Sequence, residues 1–111
     1  MDLSMKKVIT FDSDKPLTQT VTALPYLRNT SISVQAFHLN GDPLDAEALT
    51  VTAKAFNVGD LTGSGLAEQV LNTANDKVKT LTAHINKLEL TLGTAIADPV
   101  SKIEVTVYQS H

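Results

Sequence analysis

A chain of 111 residues makes one domain, 1–111, large enough for a sizeable core but not for two. It has no cysteine, so neither a disulfide nor a thiolate metal site supports it, and stability has to come from packing or from partners. A net charge of −3, with nine basic residues scattered apart from Lys6-Lys7, argues against a nucleic-acid partner, and no apolar run is long enough to span a membrane.

Fourteen threonines and no tryptophan favour pleated, half-exposed surface over helix. Along the chain, Met1 to Lys7 lacks the apolar stretch of a signal peptide and runs into a first strand, Lys7 to Phe11. The polar cluster Asp12-Ser13-Asp14-Lys15-Pro16 stops that strand. Thr18 to Leu24 is extended by composition but has a weak apolar face, as an edge or interfacial strand does. Pro25 ends it, and Tyr26, Leu27 and Arg28 follow on a connection.

Ser31 to Phe56 organises the rest. Ile32, Val34 and Ala36 alternate with polar residues, and so do Leu49, Val51, Ala53 and Ala55. The turn Asn40-Gly41-Asp42-Pro43 lies between these runs. The connection from Asn40 to Ala48 is too long for a two-residue hairpin, so the two strands either pair or cross between sheets. Asn57 to Gly65 spends three glycines in seven positions and is a flexible connection.

Leu66 to Leu92 carries two conflicting signals. Leu71, Ala74, Val78, Leu81, Ile85, Leu88 and Leu92 recur at spacings of three and four, which is a helical stripe. Lys79 to Ile85 and Leu88 to Leu92 alternate instead with period two, and Asn86-Lys87 between them can turn or bulge. A single helix would leave Leu90 off the stripe. A short helix or helical turn within Leu66 to Thr73, followed by two strands, reconciles the two. Lys102 to Tyr108 is the cleanest strand, with Ile103, Val105 and Val107 facing inward. The expected fold is all-β, a small β-sandwich or jelly roll of seven or eight short strands.

No constellation of acid, base and nucleophile emerges, and the chain is expected not to be an enzyme. His38, His84 and His111 lack metal-ligand spacing, and no metal or other cofactor is expected. Asp12-x-Asp14 and Asp42-x-x-Asp45-x-Glu47 supply oxygen ligands of the kind calcium takes, without an EF-hand pattern, and solvated turn carboxylates explain them more simply. The glycine-rich stretch lacks the lysine and hydroxyl of a P-loop, and Ser64 between two glycines is no nucleophile elbow. The remaining candidates are binding residues: Tyr26, Leu27 and Arg28 on their loop, and Tyr108 and Gln109 at the end of the last strand. Tyr and Arg are enriched where interfaces concentrate their energy.

The stretch V-Q-A-F-H-L-N-G-D-P-L-D, followed by L-T-V-T-A-K-A-F and the terminal E-V-T-V-Y-Q-S, resembles β-sandwich modules of tailed-bacteriophage virions. By size and composition it is most similar to the capsid decoration, or staple, proteins of Salmonella podophages, over roughly Ser31 to the C-terminus. That resemblance implies a jelly roll made in the host cytoplasm that sits on the outer capsid surface of the virion. There it would clamp neighbouring major capsid protein subunits, paired as a homodimer. A carbohydrate- or receptor-binding module of a tail fibre or baseplate is the alternative, and the scarcity of aromatic sugar platforms weighs against it.

Overall fold

The computed structural model describes residues 4–45, 48–60 and 62–111, and these form eight strands without a helix. The strands are β1 (Ser4–Phe11), β2 (Thr18–Thr22), β3 (Asn29–Phe37), β4 (Thr50–Asn57), β5 (Gln69–Asn72), β6 (Val78–Thr82), β7 (Ile85–Leu92) and β8 (Lys102–Ser110). Two four-stranded sheets result, in the orders β1-β8-β3-β6 and β2-β7-β4-β5. Every pairing is antiparallel. β1 pairs with β8, β2 with β7, β3 with β6 and β4 with β5, so each strand finds the one equally far from the opposite end of the sequence. One long hairpin is thus rolled up, and the added pairs β3–β8 and β4–β7 close it into an eight-stranded jelly roll.

Alternation builds each layer. In β3, Thr30, Ile32, Val34 and Ala36 are buried while the residues between them are half-exposed, and β8 repeats the pattern with Ile103, Val105 and Val107. Val51, Ala53 and Ala55 of β4 and Leu88, Leu90 and Leu92 of β7 face them from the other sheet. Apart from the buried Thr30 and Thr73, threonine commonly takes outward positions, as in the register row Thr18, Thr91 and Thr52. There it supplies β-branched stiffness without burying a hydroxyl.

The strands of the central segment do not pair with each other: β3 lies in one sheet and β4 in the other, so the connection after Phe37 crosses the sandwich. The turn within it forms as expected, with Gly41 at φ 92° and the Gly41 amide donating to the His38 carbonyl at 3.0 Å.

The helical signal from Leu71 to Leu92 has a different origin. No helix forms at Leu66 to Thr73, where β5 instead pairs with β4. The spacing of four from Leu81 to Ile85 spans the Ala83-His84 turn between β6 and β7, which belong to opposite sheets. The spacing of three from Ile85 to Leu88 comes from a bulge: Phe56 opposes Lys87 and Asn57 opposes Ile85, which leaves Asn86 as the extra residue. Leu90, off the helical stripe, is fully buried.

Because each strand traverses the sandwich, successive connections alternate between its two ends. Of the described residues, the connections 12–17, 38–45 with 48–49, 73–77 and 93–101 lie at one end; 23–28, 58–60 with 62–68, and 83–84 lie at the other. Where the edge strands β1 and β2 of the two sheets run beside each other, Gln19 Nε2 donates to the Thr10 carbonyl at 2.8 Å. Lys7 Nζ likewise reaches the Thr22 carbonyl at 3.0 Å.

Candidate functional site

The expected binding residues separate into two groups. Tyr26 is about half exposed on the 23–28 connection, and Tyr108 is 43% exposed on the outward face of β8. Arg28 immediately precedes β3, and its carbonyl accepts the Ala83 amide at 2.8 Å. Leu27 and Gln109, expected at the contact surface, are instead fully buried.

The reasons are local. The Leu27 amide donates to the Leu24 carbonyl at 3.2 Å, closing a tight turn that folds the leucine under the end of the sandwich. Gln109 keeps the inward parity of Ile103, Val105 and Val107. Its Oε1 accepts the Leu24 amide at 2.8 Å, and its Nε2 donates to Thr30 Oγ1 at 3.3 Å. It is therefore an internal strut between the last strand and the 23–28 connection. Extending the alternation of β8 by one step would have shown this.

The surface around Tyr108 was not legible residue by residue. Register sets three outward rows across β1, β8, β3 and β6: Ser4, Ser110, Asn29 and Thr82; Lys6, Tyr108, Ser31 and Thr80; Val8, Thr106, Ser33 and Val78. Lys6 is the single charged side chain in these three rows, and the ion-paired Lys102 and Glu104 of β8 take the outward positions beyond them. Val8 is 52% exposed and Val78 57%, at opposite margins of the face. A charge-poor face carrying a central tyrosine and apolar flanks has the composition of an interface core. The signal in the sequence was the outward half of each alternating run, which only the register assembles into one patch.

At the end of the sandwich beside this face, His84 links two connections. Its Nδ1 lies 2.8 Å from the Pro25 carbonyl, and its own carbonyl accepts the Val58 amide at 3.0 Å. Tyr26 and Val58, both half-exposed, stand on either side of that link.

The glycine-rich connection is held by a carboxylate rather than left flexible. One Asp60 oxygen accepts from the Thr62 hydroxyl at 2.8 Å, the Thr62 amide at 3.1 Å and the Gly63 amide at 3.2 Å; the other accepts from the Gly65 amide at 2.9 Å. The Thr62 hydroxyl and these loop amides favour the ionised form and hold Asp60 below the ordinary aspartate range.

Among the described residues, no three His, Asp or Glu side chains come together in a metal-holding group. Asp45 instead pairs with Lys77 and accepts from Gln35 Nε2 at 2.9 Å. These two contacts hold it below the usual carboxylate range, the Lys77 bond most strongly. Glu47 lies outside the described residues.

No protein-family model matches the chain, and no curated protein is similar to it in sequence. Solved structures do share the fold. A chain from the native-like genome-containing particle of DWV aligns over 96% of this chain and 74% of its own, at 7% identity and a TM-score of 0.57. A Bacillus endospore appendage protein, from a family of disulfide-linked pili, aligns over 98% and 88% at 12% identity and a TM-score of 0.51. The SPBc2 prophage-derived protein YomS aligns over 96% of each chain at 10% identity and a TM-score of 0.50. At such identities the likeness is one of architecture: the all-β sandwich is shared with proteins of particles, pili and a prophage.

Proposed function

We propose that the protein is a structural component of a bacteriophage virion that decorates the capsid from outside and stabilises it by clamping neighbouring major capsid protein subunits. The observation that carries this reading is the part of the outward β1-β8-β3-β6 face around Tyr108, flanked by Val8 and Val78, where Lys6 is the one charge and the Lys102–Glu104 ion pair lies beyond it along β8. Such a face desolvates at small electrostatic cost. Its fold relatives in a virus particle and a prophage support the same reading.

The face is small. Strands about 4.8 Å apart and outward rows about 6.8 Å apart give it a span of roughly 14 Å in each direction, well below the roughly 800 Å² per partner of a standard interface. One copy would hold one subunit weakly. A homodimer holding two subunits makes the second attachment intramolecular and multiplies the affinity by an effective concentration.

The test is occupancy on capsids purified without the protein. Tyr108→Ala combined with Val8→Ser is expected to lower occupancy at least tenfold while leaving the melting temperature within about 2 °C, because both side chains are exposed. Tyr26→Ala with Arg28→Ala asks the same of the neighbouring end. Full occupancy by the Tyr108 and Val8 variant would remove the sheet face from the contact.

A further inference from the structure

The turn that follows β3 carries a reactive pair. Of the six asparagines in the chain, Asn40 alone is followed by glycine. The nitrogen of the residue after an asparagine can reach its Cγ and close a five-membered ring, and glycine has no Cβ to obstruct that approach. Asn40, Gly41 and Asp42 are all exposed, so water has access to them.

Four hydrogen bonds hold this turn closed. The His38 amide donates to the Asp42 carbonyl at 2.9 Å, and the Gly41 amide, with Gly41 at φ 92°, donates to the His38 carbonyl at 3.0 Å. Asp42 holds the Asn40 side chain at both ends: Oδ1 accepts the Asp42 amide at 3.0 Å, and Nδ2 donates to the Asp42 carboxylate at 3.2 Å. Both reacting groups are therefore engaged elsewhere. The Gly41 nitrogen attacks only after losing the proton that it gives to His38, and losing it in the closed turn sets an amide anion against a carbonyl oxygen. The Asn40 carboxamide has to leave Asp42 before its Cγ can meet that nitrogen.

We propose that Asn40 is a site of spontaneous deamidation which the fold keeps latent, with the Asp42 side chain as one of its restraints and opening of the turn as the gate. In the open turn the deprotonated Gly41 nitrogen forms a bond to Asn40 Cγ, and Nδ2 takes a proton from water and leaves as ammonia. One water molecule then opens the cyclic imide, and the ring nitrogen regains its proton. Cleavage at Cγ gives aspartate. Cleavage at the Asn40 backbone carbonyl carbon gives isoaspartate, whose main chain runs through Cβ and Cγ. Either product exchanges a neutral amide for a carboxylate, without oxidation or reduction. Isoaspartate also adds one atom to the main chain between Leu39 and Gly41. The two bonds to His38 then no longer fit, and the turn stays open beside Leu39, itself 91% exposed.

Peptide mapping of the full chain by mass spectrometry, after incubation at neutral pH, tests this. The folded chain should convert at Asn40 at least about tenfold more slowly than the chain unfolded in guanidinium, and exchange protection of the Gly41 amide should account for the slowing, because both processes need the same local opening. Asp42→Ala should speed conversion several-fold in the folded chain, with its melting temperature near that of wild type and no comparable change in guanidinium. Asn40→Gln should abolish the product, since glutamine closes a six-membered ring slowly. Equal rates in the folded and unfolded chains would overturn the proposal. So would slower conversion in Asp42→Ala, which would make Asp42 a promoter of ring closure, or conversion mainly at another asparagine.

Discussion

Gln109 has no exposed surface, yet it sits in a core otherwise made almost wholly of aliphatic side chains. Its amide satisfies Leu24 and Thr30, so removing it strands a backbone donor away from water. Gln109→Leu keeps the volume and loses those bonds, and it is expected to cost about 1–3 kcal/mol in urea unfolding. Asp60 acts at the surface instead. Its folded pKa is depressed, so its contribution is present above the unfolded value and is lost as pH falls through the folded one. Asp60→Asn should therefore speed amide exchange at Gly63 and Gly65 at neutral pH. The difference from wild type should shrink as pH falls and vanish only below the depressed pKa that Asp60 has in the fold. An equal difference at both pH values would show that the side chain's shape, rather than its charge, holds the loop.

Among the elements, β7 places three of the largest fully buried side chains, Ile85, Leu88 and Leu90, in the core. It is bonded to β2 on one side and β4 on the other, and Leu88, Leu90 and Leu92 all point into the core. Leu90→Ala is expected to destabilise the fold by about 2–5 kcal/mol, measured by chemical denaturation. A cost under 1 kcal/mol would mean that the two sheets can collapse onto the vacancy. The same strand explains why a helical period and a strand period coexisted in one stretch. Its bulge at Asn86 shifts the inward parity by one residue, so Ile85 and Leu88 both face the core three positions apart. The rest of the helical stripe is assembled from β5, a turn and β6, and Val78, one of its members, points to solvent.

For the molecule as a whole, several carboxylates are engaged in holding turns and connections. Asp42 accepts from Asn40 Nδ2 at 3.2 Å, while Asp45 is taken up by Lys77 and Gln35. Chelation with EDTA is accordingly expected to leave the melting temperature unchanged. A clear fall that calcium reverses would make these carboxylates ligands instead. On this scale the molecule offers a sheet face whose rows around Tyr108 carry Lys6 as their one charge, and an end rich in turn aspartates.

Alternation and turn chemistry, written in the sequence, were sufficient for the all-β class, the positions of β3, β4 and β8 and the edge character of β2. Burying one face of a strand demands period two, and Pro or Gly ends the run whatever surrounds it. Tertiary structure alone decided that β3 and β4 part into opposite sheets. It also decided that Leu27 and Gln109 turn inward, and that Val8, Tyr108 and Val78 lie on one face. Those outcomes depend on which strands become neighbours and in what register, and these long-range pairings are selected by the packing of the whole core. A local pattern specifies which side of a strand is wet, but not which other strands share that side.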